Sequence, residues 1–319
     1  MRILPAILLA ASLLASNDMM AQEKTKKAQT ESTEDGEDLM AMLDDDNGKK
    51  KEYTTATFKA TRVINGHSIE NAGEGVLDFR VSHRFGPVNN GLKDFFGLDA
   101  ANTNIGLDYG IKDWLMVGLN RSTYQKEVLG FTKIKLLRQV EGKGLPFSLS
   151  YMGAMSVQTL PIDTNMTKGR DYHFSSRMFF TNQLLIARKF NRWLSVQLMP
   201  THIHYNLVNN ASDPNDVIAM GIAGRVKLSN RMSLTGEYFY RINELPGYHN
   251  SLSVGLDIET GGHVFQLMFT NATATTERAF IGQSVDDWAD GGIHFGFNIS
   301  RVFTVKKPKG FESSRNKTW

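Results

Sequence analysis

The chain has 319 residues, 36 basic and 33 acidic side chains, a net charge of +3 and no cysteine. Disulfides and thiolate metal sites are thereby excluded, and the near-balance of charge leaves no basic stripe of the kind that binds nucleic acid. Beyond the N-terminal residues, no apolar run approaches the roughly 20 residues that a membrane-crossing helix needs.

Met1-Arg2 forms a short positive region, Ile3 to Ala15 an apolar one, and Met19-Met20-Ala21 ends in a small residue. This is the pattern of a secretory signal peptide over 1–21, cleaved before Gln22. Residues 22–52 are dense in charge, from Glu23-Lys24 through Glu34-Asp35-Gly36-Glu37-Asp38 to Asp44-Asp45-Asp46. Such a composition buries too little apolar surface to offset its ordering entropy, which predicts a disordered tail. The Asp44-Asp45-Asp46-Asn47-Gly48 cluster misses the spacing of a calcium loop: its glycine comes one place early, and Thr54 stands where a glutamate is required. Tyr53 to Gly75 includes the strand-like run Thr57-Phe58-Lys59-Ala60-Thr61-Arg62-Val63. We read it as a segment ahead of the main fold, periplasmic or lying in a lumen.

From Val76 to Thr304 apolar and polar residues alternate in blocks of about ten. Leu77-Asp78-Phe79-Arg80-Val81-Ser82 opens the series, and Ile293-His294-Phe295-Gly296-Phe297-Asn298-Ile299-Ser300 ends it. Period two puts Leu77, Phe79 and Val81 on one side of a strand and Asp78, Arg80 and Ser82 on the other. Twelve strands are predicted: 76–85, 103–110, 113–123, 130–139, 147–158, 175–189, 192–206, 216–228, 231–241, 250–259, 263–271 and 292–304. Most match the roughly 9–11 residues with which a tilted strand crosses a bilayer. The connections after even-numbered strands are short, as at Ile111-Lys112, Phe190-Asn191 and Ser229-Asn230, whereas 86–102, 159–174 and 272–291 are long. Alternation of short turns and long loops is the mark of an outer-membrane barrel, turns in the periplasm and loops outside. The fold class is therefore all-β, an antiparallel up-and-down transmembrane β-barrel of about 12 strands, with fourteen the alternative if boundaries shift. Residues 305–319 then form a basic C-terminal tail.

The apolar stripes have no second layer of protein to meet, because no helical segment is predicted to supply one. Lipid is their expected partner. Trp114 and Trp193 flank short turns, and Phe95, Phe96, Tyr124, Phe174 and Tyr205 sit near long loops, as two aromatic girdles would. The opposite faces carry Asp78, Arg80, Arg84, Asp108, Lys133, Lys135, Arg225, Glu237, Arg241, Asp257 and His294, which we assign as lumen-lining. Charges of both signs either line an aqueous passage or pair across a narrow lumen and fill it. No Gly-x-Ser-x-Gly elbow and no phosphate-cradling glycine loop occurs. His202 and His204, two apart on one strand face, could grip an ion, but a pair at a strand end is more simply part of the rim. No catalytic residue, metal or cofactor is expected.

The stretches Ile64-Asn65-Gly66-His67-Ser68-Ile69-Glu70 and Gly75-Val76-Leu77-Asp78-Phe79-Arg80-Val81-Ser82-His83-Arg84-Phe85-Gly86, with Phe95-Phe96-Gly97-Leu98-Asp99 and the closing Asn298-Ile299-Ser300-Arg301-Val302-Phe303, carry a resemblance. The chain resembles an uncharacterised Bacteroidota family of outer-membrane β-barrels that bears a domain-of-unknown-function label. The similarity spans about residues 55–304 and implies location and fold, with no substrate attached. Phe303 would serve as the terminal aromatic that helps such barrels insert, although Val305 to Trp319 continues beyond it. Expected partners are outer-membrane lipid, the barrel-assembly machinery and a small polar solute. The expected function is passive passage or binding of such solutes through a charged lumen. The alternatives are a closed structural or partner-docking barrel, an outer-membrane hydrolase, and a soluble periplasmic β protein that binds an apolar ligand.

Overall fold

The computed structural model describes residues 52–142, 144–160, 172–208, 213–243 and 245–307. The signal segment, all but the last residue of the acidic tail, and the basic tail after Lys307 lie outside the described residues.

Twelve strands follow one another: β1 (Val76–Pro87), β2 (Ala101–Lys112), β3 (Leu115–Ser122), β4 (Glu127–Leu137), β5 (Ser148–Gln158), β6 (Met178–Lys189), β7 (Leu194–Tyr205), β8 (Asp216–Lys227), β9 (Met232–Arg241), β10 (Ser251–Thr260), β11 (His263–Thr270) and β12 (His294–Thr304). Each pairs antiparallel with its neighbours in sequence, and β1 pairs with β12 from Val76↔Thr304 to Pro87↔His294, which closes the sheet. Closure gives every ladder N–H and C=O a partner, the condition for a sheet to sit in hydrocarbon. Three register shifts interrupt the ladders, at Arg84/Pro87, Gly110/Lys112 and Lys135/Leu137. Among the described residues no helix is long and apolar enough to cross a membrane.

The strands alternate as period two requires. On β8, Val217, Ala219 and Ala223 are buried while Ile218, Met220 and Ile222 are exposed. Leu107, Leu119, Leu198, Leu234, Val254, Leu267 and Phe269 are exposed on other strands. A continuous apolar exterior of this kind has no stable state in water and needs lipid against it.

The interior is less uniform than the sequence pattern suggested. On β6 to β9 the inward positions include Leu185, Met199, Ile203, Val217 and Phe239, all buried. They pack with Phe58, Val63, Ile64 and Ile69 from the segment ahead of β1. On β1, β2 and β4 the inward positions are instead Asp78, Arg80, Arg84, Asp108 and Lys133, again buried. Most of the apolar interior therefore lies on β6 to β9, with Arg225, Glu237 and Arg241 set among it, while the charged cluster of β1, β2 and β4 sits beside the apolar Met116, Leu129, Phe131 and Met152. Tyr205, expected in an outer girdle, turns inward and is buried, whereas Phe95, Phe96 and Phe174 stay exposed at the loop end.

Two glycines are required by close approach. A Cβ at Gly110 of β2 would lie 2.0 Å from the carbonyl oxygen of Gly73, so the chain ahead of β1 passes directly against the wall. Gly75 adopts φ +75°, and its carbonyl accepts from the N–H groups of Val305 and Lys306, joining the two ends of the barrel.

If lipid covers the outer face, Val254→Arg, at an exposed position in the middle of β10, should destabilise the barrel by about 2–4 kcal/mol. Urea unfolding in vesicles measures this, and an unchanged midpoint would mean that hydrocarbon does not touch this face.

Candidate functional site

Residues 57–70 enter the barrel without joining its sheet. Val63 N–H donates to Gly66 O at 2.9 Å and Ser68 N–H to Thr61 O at 3.1 Å, making a small hairpin with Ile64 and Asn65 at its tip. A buried hairpin this short satisfies few of its own backbone groups, so the rest must bond to the wall. The tip is held by Glu237 on β9. Its carboxylate accepts from the N–H groups of Asn65 (2.8 Å), Gly66 (3.1 Å) and Ile64 (3.3 Å). Arg84 donates to Asn65 Oδ1 through Nη2 (2.7 Å) and Nε (3.1 Å), and Asn65 Nδ2 donates to Ser253 Oγ at 2.9 Å. Charge-assisted bonds of this type are about twice as strong as neutral ones.

The hairpin's carbonyls take the remaining wall donors. Asn298 Nδ2 reaches Ile64 O (2.8 Å), Gln266 Nε2 reaches Val63 O (2.7 Å) and Gln197 Nε2 reaches His67 O (2.7 Å). Lys133 Nζ donates to Ser68 O and Glu70 O at 2.9 and 2.5 Å, and Arg225 Nη1 to Ala56 O and Thr57 O at 2.6 and 2.9 Å. Thr61 Oγ1 donates to Asp78 Oδ2 at 3.0 Å. Arg80 Nη1 in turn reaches Thr61 Oγ1 at 2.9 Å and Asp108 Oδ2 at 3.0 Å.

A second segment enters from the opposite end. Between β11 and β12 the chain forms a short helix, α1 (Glu277–Gly282), all of it buried. Phe280 meets Phe239 edge to face at 5.1 Å. Arg278 pairs with Glu127 at 2.9 Å and lies 4.3 Å over the Phe179 ring, while the Tyr205 hydroxyl donates to Arg278 O at 3.2 Å. The two segments touch at His67 and Glu277, whose Nε2 and Oε1 are 3.4 Å apart.

Arg62 Nη1 stands 2.7 Å from His67 Nδ1. A guanidinium can only donate, so Nδ1 accepts and the imidazole proton sits on Nε2, facing Glu277. Burial, with Arg62 beside it, holds the His67 imidazole well below its ordinary pKa. Burial likewise raises the Glu277 carboxyl and pushes Arg62 down to about 10. A cavity of about 10 Å³ lies at this junction, lined by Arg62, Arg80, Asn104, Asn120, Thr276 and Glu277, among others. That is room for about one water molecule.

Asp78, Arg80, Arg84, Asp108, Lys133, Arg225 and Glu237 thus converge on the hairpin. Asp257 lies one step away, accepting from Gln266 (3.0 Å) and Thr235 (3.3 Å). Arg241 and His294 serve the loops instead. Arg241 donates to Tyr248 O and Gly282 O, and His294 contacts Phe85 O at 2.8 Å and Asp286 at 2.9 Å. Lys135 is half-buried near the rim of short turns. Sequence reasoning missed Arg62, His67, Glu127, Glu277 and Arg278. The available signal was the apolar run Ala279-Phe280-Ile281 inside a supposedly solvated loop. His202 and His204 both lean on Asp216 Oδ1 at 2.8 Å on the exposed side. Among the described residues no group of three side chains is placed to hold a metal ion.

A family model for a membrane-bound β-barrel domain, DUF5777, matches residues 58–303. The chain belongs to this family. The match begins at Phe58, so it takes in the hairpin as well as the wall. No curated relative matches the sequence. Among solved structures, the NanC porin superposes with a TM-score of 0.45 at 9% identity over 71% of this chain and 98% of that one. The KdgM porin gives 0.42 at 8% identity over 72% and 98%. Outer membrane phospholipase A from Escherichia coli, as an active-site mutant, gives 0.40 at 10% identity over 78% and 98%. Similarity at this level carries nothing of their activities across.

Replacing Glu237 by Ala leaves three hairpin N–H groups without their acceptor, at a cost of about 1–3 kcal/mol for each one left unsatisfied. Hydrogen exchange should then speed up at residues 61–70 while strand amides keep their protection. Unchanged exchange at the hairpin would show that Glu237 is not its anchor.

Proposed function

We propose that the chain is an outer-membrane barrel held closed by its own hairpin and α1, a structural or partner-docking barrel without catalysis. One observation carries the reading: Glu237 and Arg84 clasp the hairpin tip in mid-lumen, and the cavity left beside it is about 10 Å³. A hydrated ion or sugar needs far more room than one water site. With an even number of strands, both barrel ends lie on the side of the short turns, which is the periplasm in barrels of this kind.

A second reading has a specific support. Wall side chains from both sides of the barrel hold the hairpin, and water could replace each of those bonds if the segment withdrew. Small polar solutes would then pass among Arg80 and Lys133 on one side and Arg225 with the apolar side chains of β6 to β9 on the other. Both readings are non-catalytic.

Planar bilayers separate these readings. The intact protein should be silent, and steady conductance from it would overturn the closed reading. A variant lacking residues 53–70 that conducts would establish a gated passage, with Arg80→Glu in that background shifting ion preference. Silence from both would establish the structural barrel.

A further inference from the structure

A groove of about 510 Å³ crosses the rim at the short-turn end, between the β2–β3 turn and the β4–β5 connection. Tyr53, Trp114, Lys135, Leu136, Arg138 and Leu145 are among the residues lining it. Its shape follows from a local irregularity. The register shift between Lys135 and Leu137 places one extra residue in β4, so that Leu136 and Leu137 are both exposed beside the outer face and Arg138 is re-aimed. Lys135 N–H donates to Trp114 O at 2.7 Å, which pairs the two residues across the rim. Tyr53 is fixed by its bridge to Val140 and by Thr54 N–H donating to Gln139 O at 2.9 Å. The Arg138 guanidinium then lies 4.3 Å over the Tyr53 ring.

Two features point to an occupant. First, neither Lys135 nor Arg138 has a carboxylate within ion-pair distance among the described residues; Glu70 and the lining residue Asp113 attract Lys135 from farther off, and Asp113 Oδ1 accepts from Glu74 N–H at 3.0 Å. Stacking on Tyr53 leaves the edge of the guanidinium free to donate to an anion. Second, the groove is continuous with the apolar exterior through Leu136 and Leu137, and Trp114, 53% exposed, stands where indoles mark the headgroup level. Two cations without a direct ion pair, beside aliphatic walls that open onto the lipid belt, match one ligand: a phosphate with acyl chains attached.

We propose that this groove binds an anionic phospholipid of the adjoining leaflet, its phosphate on Lys135 and Arg138 and its chains along Leu136 and Leu137.

Native mass spectrometry of the full chain in detergent, titrated with phosphatidylglycerol and separately with phosphatidylcholine, tests the site. Wild type should retain phosphatidylglycerol in preference. The double variant Lys135→Gln/Arg138→Gln should weaken that retention about tenfold or more, since each cation near a lipid surface matters by about 1 kcal/mol. Lys227→Gln/Arg231→Gln removes two cations from another turn of the same rim and should leave it unchanged. Heat-dependent gel mobility confirms that each variant is folded, and Arg138→Gln alone serves if the double variant is not. Equal retention of both lipids by wild type, or full retention by the folded variant, would overturn the proposal. So would complete competition by inorganic phosphate, which would assign a free-anion site.

Discussion

A buried peptide bond needs a partner, and the hairpin at residues 61–68 is too short to supply its own. Everything distinctive about this barrel follows from how that need is met. Glu237 accepts three consecutive backbone N–H groups, while Asn298, Gln266, Gln197, Lys133 and Arg225 serve the carbonyls. The wall residues are scattered from β4 to β12, so the closed sheet must form before they can converge. In that sense the lipid-facing exterior and the filled interior are one problem. Hydrocarbon outside stabilises the cylinder, and the cylinder collects the side chains that hold the hairpin.

Apolar and charged contacts both orient the hairpin. Ile64 and Ile69 are buried within the cluster formed by β6 to β9, and Thr61 contacts Asp78 and Arg80. The pairs Arg80–Asp108 (3.0 Å) and Arg278–Glu127 (2.9 Å) are buried in the same interior. Desolvation offsets much of their attraction, so their short distances do not translate into a large net stability.

The cylinder was legible in the sequence because period-two alternation is a property of each strand taken alone. Val254 faces out and Ser253 in whatever the rest of the chain does. The short turns and long loops likewise fixed the strand order. A filled lumen, with 53–75 lying in it, was one of the readings the sequence allowed, but the sequence could not choose it, for a physical reason. Asp78 or Lys133 reads the same whether its partner is water or a backbone carbonyl, and the partners here are far away in sequence, with Glu237 some 171–173 positions from the hairpin tip. The apolar inward positions of β6 to β9 were masked too, since Ala219 and Ala223 carry weak periodic signals and Phe239 sits in the aromatic run Tyr238-Phe239-Tyr240. Helix α1 has only six residues, too few to show a helical period.

The absence of cysteine permits a direct test of whether the hairpin fills the lumen. A single cysteine at Ile64, 1% exposed, can be compared with one at Leu92, 79% exposed on a loop, in the folded protein in vesicles. A hydrophilic maleimide should label position 92 rapidly and leave position 64 untouched until the barrel is unfolded. Equal labelling of both positions in the folded protein would contradict the account, because it would place the hairpin tip in water.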